Sequence, residues 1–78
     1  MPTRILIAED EERLRRLFAM LLGGSKYKIT MAEDGEKAWE LIQKDRPDIV
    51  LTDMRMPNLD GMGLLEKIKG EHPDLPVI

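Results

Sequence analysis

Three short apolar runs, each followed by a stretch with helical periodicity, constrain the fold more than any other feature of the chain. They occupy residues 5–8 (ILIA), 28–32 (KITMA) and 48–52 (DIVLT). Runs of four or five residues with β-branched members read as strands, and continuous apolarity rather than alternation suits a strand covered on both faces. After the first run, Leu14, Leu17, Phe18, Leu21 and Leu22 recur at helical spacing from Glu11 onward, which gathers them on one side of a helix. Gly23 and Gly24 end it. After the second run, Asp34 is placed to cap a helix carrying Ala38, Leu41 and Ile42, and Pro47 closes it. Beyond a loop at residues 57–61, Leu64, Leu65 and Ile68 mark a third helix, and Val77 and Ile78 look like the opening of a fourth strand. Strands that alternate with helices are joined by crossovers, so the expected class is α/β with a parallel sheet.

A chain of 78 residues holds one small domain with a marginal core, and no internal repeat or linker divides it. With 42% hydrophobic and 35% charged residues and a net charge of −3, it is too apolar for disorder and has no basic excess for nucleic acid. The absence of cysteine removes disulfides and thiolate metal sites. The apolar start of the chain meets acid at Glu9, far too early for a signal peptide or membrane span. A cytoplasmic location with no membrane contact is the expectation.

In a parallel α/β sheet, ligands sit at the carboxyl ends of the strands. Glu9 and Asp10 follow the first strand and Asp53 the third, and neighbouring strands lie about 4.8 Å apart. Three carboxylates brought together repel one another, which either raises a pKa or calls for a hard cation. Oxygen ligands alone favour magnesium, which keeps waters and accepts phosphate oxygens. The chemistry indicated is phosphoryl transfer.

The segments ILIAEDE, AEDGEKAWELI, PDIVLTDMRMPNLDG and LPVI, in that order and spacing, resemble the receiver domain of bacterial two-component response regulators. The resemblance implies a flavodoxin-like parallel sheet with strand order 2-1-3-4. It implies that Asp53 is the phosphoacceptor, that Asp10 ligates Mg2+ directly, that Glu9 holds the metal mainly through water, and that the main-chain carbonyl of Arg55 completes the protein ligands. The partner it implies is a sensor histidine kinase, and the role is that of a signalling module rather than an enzyme. Residues 1–78 would then be the amino-terminal portion of a single receiver, about three βα units and the start of the fourth strand. The Ser or Thr that ends the family's fourth strand and the Lys that ends its fifth have no counterpart among these residues. Without the final helix, an apolar face would stay uncovered, and self-association is expected of it.

Plainer roles stand beside these. Asp10 could cap the first helix as well as bind metal. Pro57, Asp60 and Gly61 form a turn. Lys67, Lys69, His72, Arg13, Arg15 and Arg16 read as solvated helix faces or loop. Met54, Met56 and Met62 read as packing around the loop, and Trp39 as a partly exposed apolar residue. Two other functions compete. A haloacid-dehalogenase-type phosphatase also phosphorylates a strand-end Asp but carries a second Asp two positions on, where this chain has Arg55. A receiver fragment that folds or oligomerises without being phosphorylated is the second.

Overall fold

The computed structural model describes residues 2–24 and 26–78. Six elements follow in strict alternation: β1 (Thr3–Ala8), α1 (Glu12–Leu22), β2 (Tyr27–Ala32), α2 (Gly35–Lys44), β3 (Ile49–Thr52) and α3 (Gly61–Glu71). The strands form one parallel sheet in the order β2-β1-β3. The central strand, β1, is the one whose apolar run is unbroken, and Ile5, Leu6, Ile7 and Ala8 are all buried. Successive side chains of a strand point to opposite faces, so this strand needs cover on both. Leu6 and Ala8 join Ala32, Ala38, Ile42, Val50, Met56, Leu64, Ile68 and Leu75 in one core cluster under α2 and α3. Ile5 and Ile7 face the side of α1.

The helix signals act as physical chemistry dictates, with two corrections. Asp34 caps α2, its Oδ1 accepting the Lys37 N–H at 2.8 Å. Asp60, expected to be only a turn residue, caps α3 in the same way by accepting the Gly63 N–H at 2.8 Å. Asp10, by contrast, caps nothing: α1 begins one residue later, with Glu11 at the cap position and no side-chain hydrogen bond there. That leaves the Asp10 carboxylate uncommitted to helix formation. Gly23 and Gly24 do end α1, Gly24 with φ +125°.

The expected fourth strand is a single parallel bridge, Val77 to Val50. It is held by Val50 N–H donating to Pro76 (2.9 Å), Ile78 N–H to Val50 (2.9 Å) and Thr52 N–H to Ile78 (3.0 Å). Val77 lies on the edge of β3 away from β1, which continues the order 2-1-3-4. No helix among the described residues is long and apolar enough to cross a membrane.

Candidate metal centre

The acid pocket is built by the ends of two neighbouring strands. Main-chain bonds fix both: Glu9 N–H donates to Ala32 O and Asp53 N–H to Ala8 O, each at 3.0 Å. The chain therefore leaves β1 and β3 at the same level, and carboxylate oxygens of Glu9, Asp10 and Asp53 all lie within 4.8 Å of one another. The three carboxylates expected to meet at the strand ends do lie together. They differ in environment, for Glu9 is buried, Asp53 half-buried and Asp10 exposed.

Glu9 is 5% exposed and is the one buried charged residue among those described. Burial pushes its carboxyl above the usual range, the Glu11 N–H opposes that, and the nearness of Asp10 and Asp53 adds to it. The Glu11 N–H reaches its Oε2 at 3.2 Å. The main chain of Glu9 has a second anchor, the Arg15 guanidinium, which donates to its carbonyl at 2.8 Å. From the sequence Arg15 reads as a solvated helix residue; its spacing of six from Glu9 carries no helical signal, so only the folded turn discloses the contact.

Arg55 lies in the exposed loop after β3, and its N–H approaches Asp53 Oδ1 at 3.5 Å. That loop is tightly set. Gly61 packs against the Asp53 carbonyl so closely that a Cβ there would collide with it, and Gly61 N–H donates to Met54 O at 3.0 Å. Met56 is buried in the core, whereas Met54 and Met62 are exposed, so only one of the three packs inward as expected. Below Asp53, on the side of α1, a cavity of about 190 Å³ is lined by Ile7, Ala8, Phe18, Leu51 and Thr52 together with Glu9 and Asp53. His72 lies outside this centre, at the end of α3 with its Nε2 3.0 Å from Gln43 Oε1. Trp39 is half-buried, edge-on to the His72 ring at 6.1 Å, with Lys67 Nζ 5.8 Å from its ring centre.

The donor set fits a hard divalent ion: three carboxylates, no nitrogen or sulfur ligand, and oxygens spread over a distance that an ion with retained waters spans. A buried carboxylate held among two others is the repulsion that such an ion relieves.

Residues 5–78 match the response regulator receiver domain family. The response regulator MprA of Mycolicibacterium vanbaalenii is 37% identical over 78 residues, a match covering all of this chain and 34% of that protein. The chain spans about a third of the length of the curated relatives it matches. Among solved structures, the amino-terminal domain of a response regulator receiver protein from Methanoculleus marisnigri JR1 superposes with a TM-score of 0.88 at 33% identity, over 95% of this chain and 62% of that one. The chemotaxis response regulator CheY4 of Vibrio cholerae shares the fold, with a TM-score of 0.93 at 23% identity over 99% of this chain and 66% of that one.

Proposed function

This chain belongs to the response regulator receiver domain family, and from that premise we propose that it accepts a phosphoryl group on Asp53. Residues 1–78 act in this reading as the amino-terminal part of one receiver. Asp10, Asp53 and the Arg55 carbonyl hold Mg2+, with Glu9 bound mainly through water. The observation that carries the reading is the convergence of three carboxylates within 4.8 Å at the carboxyl ends of β1 and β3. The donor is a phosphohistidine on a sensor kinase or a small acyl phosphate.

In the transfer, an Asp53 carboxylate oxygen attacks the phosphorus in line. The new O–P bond forms as the P–N bond to the donor imidazole breaks. The bonding pair stays on that nitrogen, and the ring leaves neutral when its other nitrogen carries a proton. Bound magnesium supplies charge neutralisation between the carboxylates and the transferring group. Asp53 stands half-buried, open enough for a donor to reach it, while the 190 Å³ cavity below it leaves its apolar side without a packed wall.

Intact-protein mass after incubation with acetyl phosphate and Mg2+ tests the proposal. One phosphoryl group is expected on the wild-type chain only when magnesium is present, and none on Asp53→Asn. Equal labelling of Asp53→Asn, or none on the wild type, overturns it. A second reading, a receiver segment that self-associates without phosphorylation, is favoured by one observation: Leu17, Met20 and Leu21 of α1 are 44, 78 and 68% exposed.

A further inference from the structure

We infer that the hydrogen bond from Asn58 to Asp34 is a clamp that sets the β3–α3 loop for metal binding, which makes Asn58 a positioning residue for the acidic centre. The inference rests on the proposed magnesium site and adds to it a residue that touches none of the three carboxylates in it.

Asn58 is the one non-glycine residue with positive φ among those described, at 69°. Asparagine tolerates that left-handed conformation better than most residues, but still adopts it only where its surroundings hold it. Here the hold is its side-chain amide, which donates to Asp34 Oδ2 at 2.8 Å. The partner oxygen is not free to follow the loop, because the other oxygen of the same carboxylate caps α2 through the Lys37 N–H. Asp34 is thus a fixed post and Asn58 is tied to it.

Two further contacts act in the same direction. The Leu59 carbonyl occupies the space a Cβ on residue 35 would need, so only glycine fits at the start of α2, and the Leu59 side chain packs on the core cluster. At the other end of the loop, Gly61 abuts the Asp53 carbonyl in the same fashion. That contact pins the start of the loop at Asp53, so residues 54–57 run between it and the Asn58 tie, and Arg55 is among them. Its N–H faces Asp53 and its carbonyl is the proposed fourth ligand.

Topology gives the clamp its reach. Asp34 follows β2 and Asn58 follows β3, while β1 lies between these strands and delivers Glu9 and Asp10. A bond from Asp34 to Asn58 ties the two outer strands together past the end of the inner one. Releasing it frees the loop that carries Arg55 without altering any carboxylate of the centre.

The test is Mg2+ titration by calorimetry on the 78-residue chain, with urea unfolding of each metal-free variant beside it. Asn58→Gly keeps the positive φ and removes the amide. Asn58→Asp sets two carboxylates against each other. The pair Asp34→Asn with Asn58→Asp exchanges donor and acceptor and keeps the net charge. Groups that orient metal ligands from outside the ligand shell typically change affinity by about 10-fold or more. Asn58→Gly should therefore weaken Mg2+ binding about tenfold and Asn58→Asp at least as much, with the exchanged pair returning close to wild type. Single variants that lose stability but bind Mg2+ as the wild type does would show a merely structural bond and overturn the inference alone. A wild-type chain that binds no Mg2+ overturns the metal site and the inference together. Should Asn58→Asp fail to fold, Asn58→Gly still decides.

Discussion

The two faces of the sheet share the same strands but are closed to different degrees. Under α2 and α3, Leu6, Val50, Ala38, Ile42, Leu64, Ile68 and Leu75 are at most 2% exposed. On the other face, α1 contributes no fully buried residue, Ile49 and Leu51 are half-buried, and Leu17, Met20 and Leu21 stand in solvent. Periodicity alone would rank α1 with the best core helices, since five of its apolar residues fall on one side. The difference teaches that such a pattern reports which way a helix turns its apolar side and says nothing about how much of that side is covered.

The largest expected effect tests this directly. Leu64→Ala removes a side chain with no exposure and should lower unfolding stability by about 2–5 kcal/mol. Leu21→Ala, already 68% exposed, should change it by no more than about 0.5 kcal/mol. Urea unfolding of the two variants measures both, and similar losses would break the distinction between the faces.

A smaller effect would sharpen it. If the open face is where copies of the chain meet, replacing Leu17 and Leu21 together by Glu should leave stability within about 1 kcal/mol. The same replacement should shift the wild-type sedimentation equilibrium from associated to monomeric. A wild-type chain that sediments as a monomer removes the need for any cover on α1 and ends the self-association reading.

Most of the fold was legible because its elements are long relative to their signals. The three apolar runs, the Asp34 cap and the glycine pair after Leu22 each have a local cause. Glu9, Asp10 and Asp53 were legible as a site for a different reason: a parallel sheet sends all strand ends to one edge, so residues 43 apart in sequence become neighbours by topology. What escaped was tertiary. Arg15 reaching the Glu9 carbonyl, the Asn58–Asp34 bond 24 residues apart and the misplaced cap at Asp10 depend on where a loop turns, and a loop's path leaves no period. The depth of Glu9 was hidden as well, since an acid beside an acid in sequence gives no sign that one is buried and the other exposed.

The smallest expected effect concerns the charged end of the closed face. Asp34 has its carboxyl held below the usual range, first by the Lys37 N–H and then by the Asn58 amide. The folded state therefore binds its proton less readily than the unfolded chain does. Its contribution to stability is complete above the ordinary Asp value of about 3.9, and it is lost as pH falls through the lower folded value. Asp34→Asn keeps a cap oxygen but carries no charge and so lacks this dependence. The stability gap between wild type and Asp34→Asn should be widest near neutrality and narrow steadily below about pH 4. The exposed Glu12–Arg16 pair on α1, 2.9 Å apart with both side chains mostly in solvent, supplies the contrast, because such surface pairs contribute little. Glu12→Gln should leave neutral-pH stability almost unchanged in the same urea series. A gap for Asp34→Asn that stays constant with pH would mean that its hydrogen bonds favour the charged carboxyl no more than the neutral one. The closed face would then owe its advantage to apolar packing alone.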